Sequence, residues 1–417
     1  MTRLRAFHAD GLVVGNGPSI LDGALVLSES GEVRDVGRAV NVLPRHAGLG
    51  FERVEGVIFP GLVNAHTHLE LSSLRPSSNE GWPRGHAGGF AAWAKAMLGR
   101  RAQASRDEVE RATAASVKEL VRLGTVAVGD VGNGLSAAPV LAAHGIAGAV
   151  FHEVFGSVRE VALAKVAAIE SDACAHAAAF ETGLRWSPSA HTLHTTHPDA
   201  VKALVALARA RGARSSLHLA EHAAEREALL HGRGPMVAFL AEMGVPEGAF
   251  SWPGKGPIAY AADLGVLAED VLLVHLSDAT DDELDQVAKA RARVALCPRS
   301  NLWIEGLVPR LPAMLAHGLS PALGTDSLAS SPSVDVLEEA RYLRECFPDI
   351  HADTLLEMAT WNGAEALGLP DFGRLARGAR PGVFAAACVV SGSPSSALLD
   401  AWQAPRRRLD GAVKEAG

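Results

Sequence analysis

The chain has few of the features that mark specialised protein classes. Its four cysteines, Cys174, Cys297, Cys346 and Cys388, lie far apart and form no C-x-x-C pair. That spacing argues against a thiolate zinc cluster or a disulfide framework and suits a reducing cytosol. Lys/Arg runs are missing apart from Arg406-Arg407-Arg408, and 39 basic against 47 acidic side chains give a formal charge of −8. Nucleic acid is therefore not an expected partner. No apolar run approaches the roughly 18 residues of a membrane span. Met1-Thr2-Arg3-Leu4-Arg5 leads into no apolar export segment. Internal repeats and low-complexity stretches are also lacking. What remains, 48% hydrophobic and 21% charged residues over 417 positions, is the composition of a globular protein expected in the cytoplasm, long enough for one large domain and an accessory one.

Residues 1–58 read as short strands broken by turns. Gly11-Leu12-Val13-Val14-Gly15-Asn16-Gly17, Ala24-Leu25-Val26-Leu27 and Val33-Arg34-Asp35-Val36-Gly37 are β-rich, and no stretch there has a helical period. The same texture returns after residue 373, through Val383-Phe384-Ala385-Ala386-Ala387-Cys388-Val389-Val390. Neither end holds enough strands for a core, so residues 1–58 and 374–417 are expected to join as a composite β-sandwich domain. Residues 59–373 alternate strand-like runs (from Phe59, then 125–129, 146–153, 183–186, 213–219, 271–276, 292–297 and 320–324) with helical segments such as 107–122, 158–179, 198–211 and 281–291. Eight strand–helix units point to an α/β fold, a (β/α)8 TIM-like barrel. Residues 231–270, rich in Gly and Pro, read as a long inserted loop of the kind that forms lids or binding loops.

The densest chemical signal is Phe59-Pro60-Gly61-Leu62-Val63-Asn64-Ala65-His66-Thr67-His68-Leu69-Glu70. Residues two apart on a strand point to one side, so His66 and His68 would present two imidazoles to a divalent metal of nitrogen preference. Among 17 histidines, about 0.7 such H-x-H pairs arise by chance, so the pair needs support. Strand ends supply it, because barrel enzymes place their functional groups at the C-terminal ends of strands. His66 and His68 end the first strand, His218 the fifth and His275 the sixth, and Asp326 follows the eighth. A competing pattern, His218-Leu219-Ala220-Glu221-His222, matches the inverted zinc-protease signature. That chemistry needs a helix, and Arg214-Ser215-Ser216-Leu217 is poor helix material. His222 then reads as a helix-start residue rather than a ligand.

With these motifs together, the chain resembles the amidohydrolase superfamily over nearly its whole length. His218 to Glu221 as H-x-A-E and Cys297-Pro298-Arg299-Ser300-Asn301 as C-P-x-S-N make it similar to the branch of base and nucleoside deaminases and related chlorohydrolases. Within that branch, Glu153-Val154-Phe155-Gly156 and Thr325-Asp326-Ser327-Leu328-Ala329-Ser330 look like the aminodeoxyfutalosine deaminases. Departures occur at Ser187-Pro188-Ser189-Ala190-His191-Thr192-Leu193-His194, where His191 stands for the usual histidine and His194 for a tyrosine, and at His275-Leu276-Ser277-Asp278. Both put substrate identity, not the metal centre, in question.

The resemblance implies a metal-dependent hydrolase of non-peptide C–N bonds that deaminates an aminated purine base or nucleoside. Expulsion of chloride or an alkylamine, or opening of a cyclic amide, is the alternative, and a non-catalytic assembly homologue the remote one. One divalent ion, zinc ahead of iron, is implied at His66, His68, His218 and Asp326. Two-metal relatives carry a carboxylated lysine on the fourth strand, whereas Lys165 and Lys202 fall in helical segments here. Asp326 is implied to shuttle protons, Glu221 to protonate the ring and His275 to hydrogen-bond the attacking oxygen. Glu70, Trp82, His191 and Arg299 are candidate substrate contacts; Trp82 equally fits a structural role in the turn around it. The expected partner is a small-molecule substrate, with neither nucleic acid nor membrane, and a homodimer is left open.

Overall fold

A computed structural model describes residues 3–76 and 85–411. The chain begins with β1 (Leu4–Leu12), β2 (Ile20–Ser28), β3 (Val33–Arg38) and β4 (Phe51–Pro60). Eight strands follow: β5 (Leu62–Thr67), β6 (Thr125–Gly132), β7 (Ala147–Val154), β8 (Leu184–Ala190), β9 (Ser215–Leu219), β10 (Val271–His275), β11 (Arg293–Leu296) and β12 (Ala322–Leu323). β13 (Val383–Ala386) and β14 (Arg406–Arg408) come last.

β5 to β8 form one parallel sheet and β9 to β12 another. Every residue of β5, β6, β7, β9 and β10 is buried, as parallel strands covered on both faces require. The two sheets hydrogen-bond at both margins. The His66 carbonyl accepts the N–H groups of Thr325 (2.9 Å) and Asp326 (3.1 Å), and the His191 carbonyl accepts that of His218 (3.0 Å). Helices Arg106–Arg122, Arg159–Ala175, Pro198–Ala210 and Asp281–Lys289 stand close to where the period placed them. Their buried stripes, such as Val201, Leu204, Val205 and Ala208, join the main apolar core. Ser105 with Glu108, and Thr280 with Glu283, start two of them as capping boxes. Residues 231–270 are not the long loop expected: helices Pro235–Glu242 and Pro257–Asp263 lie within them.

Both ends of the chain share one mixed sheet of order β14-β13-β4-β1-β2-β3. The sheet curls: a Cβ on Gly31, between β2 and β3, would lie 3.2 Å from Asp410, just beyond β14. Curling brings Phe7, Leu25, Leu27, Ile58, Val383 and Leu409 into one apolar cluster. The helix Ala39–Arg45 packs Ala39 and Val42 against Ala6, Ala24 and Val26. The sequence showed no helical period there, because seven residues are too few to display one and tertiary packing holds the turn.

The one basic run is β14 itself, and ion pairs occupy it: Arg406 with Asp335, Arg407 with Glu52 and Arg408 with Asp410. The side chains of Arg406 and Asp335 are both 2% exposed, and Asp335 also caps the helix Val336–Cys346. Arg406→Leu would leave a buried carboxylate unpaired, so the unfolding free energy in urea should fall by about 3–5 kcal/mol. Arg407→Leu, at an exposed pair, should change it by less than about 1 kcal/mol.

Candidate metal centre and active site

The alternation of β5 carries His66 inward, and His68 follows one residue beyond its end. The two imidazole centroids lie 4.9 Å apart, and that of His218 lies 4.9 Å from His66 and 5.4 Å from His68. His68 Nε2 stands 3.3 Å from His218 Nε2. Asp326 places Oδ1 3.6 Å from His68 Nε2 and 3.9 Å from His66 Nε2. Two local features permit this approach. Gly324 packs directly on His66, where a Cβ would stand 2.6 Å from the His66 carbonyl oxygen. Asp326 has φ +56°, a left-handed conformation uncommon outside glycine and typical of functional sites.

The donor set fits a divalent ion. Both ring nitrogens of fully buried His66 lack a hydrogen-bond partner, and ligand atoms of His66, His68 and His218 all lie within 4.8 Å of one another. Burial holds His66 well below the usual imidazole range, reinforced by the facing rings. Burial likewise pushes His68 down to about 3 against the pull of Asp326, and lowers His218. Neutral imidazoles keep a lone pair for metal. His218 Nδ1 donates to the His191 carbonyl at 2.9 Å, which fixes the tautomer that leaves Nε2 free.

Two carboxyls at this site are tuned in opposite directions. Burial alone would raise Asp326, but His68, His275 and the Ser300 hydroxyl outweigh it and hold it below the usual range. Burial pushes Glu221 well above that range, and the charges of Asp326 and Glu225 add to the effect. Asp326 Oδ2 accepts from Ser300 Oγ (2.5 Å) and Ser330 Oγ (2.9 Å), turning Oδ1 to the histidines. His275 Nε2 lies 3.6 Å from Glu221 Oε1, and Asn301 Nδ2 donates to His275 Nδ1 at 3.2 Å. Ser300 and Asn301 thus give physical work to the C-P-x-S-N pattern.

The groups open onto a cavity of about 330 Å³. One wall carries His68, His191, His218, Glu221, His275 and Asp326; the roof is apolar, with Phe90, Trp93 and Met97 from helix Gly89–Gln103 and Met236, Phe239 and Leu240 from helix Pro235–Glu242. His191 lines the cavity and pairs with Thr195 Oγ1 through Nδ1 (2.7 Å). Glu70 also lines it, but its carboxylate is held by Arg101 (2.9 Å) and the N–H groups of Asn133 (3.0 Å) and Gly134 (3.3 Å). Arg299 does not reach the cavity. Its guanidinium is buried in ion pairs with Glu338 and Glu339, because the helix Pro298–Glu305 turns it toward those acids. Trp82 lies outside the described residues. Glu153 was not among the expected contacts; it ends β7 as a buried carboxyl whose Oε1 is 3.6 Å from His218 Nδ1. His222 is the expected helix-start residue, capping Ala223–His231.

Comparison with known proteins supports the same reading. A 5-methylthioadenosine/S-adenosylhomocysteine deaminase of Nitratidesulfovibrio vulgaris is 28% identical over 378 residues, covering 86% of this chain and 77% of that one. An aminodeoxyfutalosine deaminase of Deinococcus radiodurans is 30% identical over 330 residues, 76% of this chain and 75% of its own length. The crystal structure of Helicobacter pylori aminofutalosine deaminase in complex with methylthio-coformycin shares the fold, with a TM-score of 0.83 at 22% identity and 97% of both chains covered. A model of the Amidohydrolase family matches residues 57–386, a span that starts just before β5 and takes in every strand carrying the clustered histidines and acids, and the chain belongs to that family.

Proposed function

We propose that this amidohydrolase is a metal-dependent deaminase of aminated purine bases or nucleosides, releasing ammonia from an adenine-type ring. The observation that carries the reading is the convergence of Glu221, Asp326 and three buried imidazoles at one cavity, with the two carboxyls tuned in opposite directions. Two carboxyls whose environments drive them apart divide into an acid and a base. Relatives 28% and 30% identical that are named as deaminases support the leaving group. The four unpaired cysteines support residence in a reducing cytoplasm. We take the eight parallel strands as a closed (β/α)8 barrel over residues 59–373, with residues 1–58 and 374–417 as the accessory domain. Hydrogen bonds at both sheet margins support closure.

His66, His68, His218 and Asp326 would hold one divalent ion, zinc by the preference of three imidazoles and a carboxylate, with iron(II) next. Such an ion, when bound, makes a water nucleophilic near neutral pH. Asp326 takes one proton from the attacking water and delivers it to the departing amine. Glu221, kept protonated by its surroundings, donates to the ring nitrogen beside the attacked carbon, so no charge accumulates there. The remaining water proton leaves the new C–OH and returns Glu221 to its acid form. His275, its Nδ1 occupied by Asn301, presents Nε2–H to the attacking oxygen. His191 and the roof shape the ring's seat.

Glu221→Gln and Asp326→Asn should each lower ammonia release by about 10²–10⁴-fold while the circular dichroism spectrum is unchanged. The panel is aminodeoxyfutalosine, adenosine, methylthioadenosine, S-adenosylhomocysteine, guanine and cytosine. Full activity in either variant removes its assigned role, and silence of the wild type across the panel moves the reading to another leaving group.

Because burial lowers all three ligand histidines, zinc uptake by metal-free protein at pH 6 should release fewer protons than ordinary imidazoles would. Three ordinary imidazoles with pKa near 6.5 would release about two. Calorimetry in buffers of different ionisation enthalpy reads the number directly.

A further inference from the structure

Glu221 sits in a sharply turned segment between strand β9 and a helix. It follows the left-handed Ala220 (φ +48°) and precedes the helix Ala223–His231. Its own carboxyl is buried, and its aim depends on where its backbone is fixed. That fixing comes from two residues that are neither metal ligands nor proton carriers in the scheme above. Glu225 Oε2 accepts the backbone N–H of Glu221 at 2.9 Å. His222 Nδ1 accepts the N–H of Glu225 at 3.0 Å. Together they form a reciprocal cap: the residue at the helix start accepts from the third helical residue, which reaches back past it. Serine or threonine would ordinarily stand where His222 does. An imidazole can do the same only when neutral with the lone pair on Nδ1, and His222 is 1% exposed, an environment that disfavours charge.

The cap also touches the roof. The ring of Phe90 stacks on His222 with centroids 4.3 Å apart and planes 25° apart. Phe90 is the second residue of the roof helix Gly89–Gln103 and lines the cavity. Its N–H donates to Glu305 Oε1 at 2.6 Å, which pins the start of that helix. A continuous path therefore runs from the roof over the substrate, through Phe90 and the cap imidazole, to the backbone of Glu221.

We propose that His222 and Glu225 are positioning residues for Glu221, and that Phe90 ties their cap to the roof of the pocket. This rests on Glu221 being the proton donor. A group held a few tenths of an ångström out of line delivers its proton poorly although substrate still binds. Loss of the cap therefore appears in kcat more than in KM.

The experiment measures kcat and KM per bound zinc for Glu225→Ala, Glu225→Gln, His222→Ala and His222→Asn, with Glu221→Gln alongside, on whichever nucleoside the wild type deaminates. The alanine variants should lose about 10–100-fold in kcat, the usual scale for supporting hydrogen bonds around a reaction centre, with KM within about threefold. Glu225→Gln keeps an acceptor oxygen, and asparagine is a good helix cap, so both should recover to within about fivefold of wild type. Unchanged kcat in the alanine variants, or glutamine and asparagine variants as slow as alanine, overturns the proposal. An active Glu221→Gln instead defeats the acid assignment beneath it. Should the alanine variants fail to fold, Phe90→Leu decides, since it leaves both cap hydrogen bonds in place. A fall in saturated rate of about threefold or more supports the link, and an unchanged rate overturns it.

Discussion

The carbonyl oxygen of His66 accepts two N–H groups, from Thr325 and Asp326, and the site depends on that doubled bond. It joins β5 to the segment after β12, although some 260 residues separate them in sequence. The same bond seats Asp326 over the ring of the residue that holds it. Gly324 allows the approach, Asn64 reinforces it by pairing with the Thr325 hydroxyl at 2.8 Å, and the left-handed turn at Asp326 aims the carboxylate. Backbone pairing, normally a matter of stability, here sets the distance between the Asp326 carboxylate and the imidazoles.

Burial then does the electrostatic work. Seven histidines, His66, His68, His191, His194, His218, His222 and His275, are all pushed down chiefly by loss of water. A charged imidazole cluster would repel a cation; a neutral one invites it. The same desolvation raises Glu221, and Asp326 escapes only because imidazoles and hydroxyls face it. One dry environment thus moves imidazoles and one carboxyl away from charge and leaves another carboxyl ionised, separated by what each side chain meets rather than by residue type.

Much of this was legible in the sequence, for a definite reason. Strand ends recur at a fixed place in a parallel α/β fold, so His66, His68, His218, His275 and Asp326 could be collected without knowing a single distance. Contacts set by helix rotation could not. Arg299 stands inside the C-P-x-S-N motif, yet the turn of its helix sends it to Glu338 and Glu339. The roof was illegible too: Met236, Phe239 and Leu240 read as ordinary apolar helix residues, and no periodicity separates a side chain that faces a core from one that faces a cavity. Strand count likewise says nothing about curl.

That curled sheet also bears on how the chain is made. The edge of β4 at Ile58 and Phe59 is paired by Ala385 and Phe384, residues that leave the ribosome only after positions 61–382 have been synthesised. At about 5–20 residues per second the wait is about 15–65 s. Throughout it, an early strand of buried apolar residues must keep an open edge without finding a partner in another nascent chain. Completion of that sheet thus waits until β13 has been made, and production at high ribosome density should favour chains that pair with one another over chains that pair with themselves.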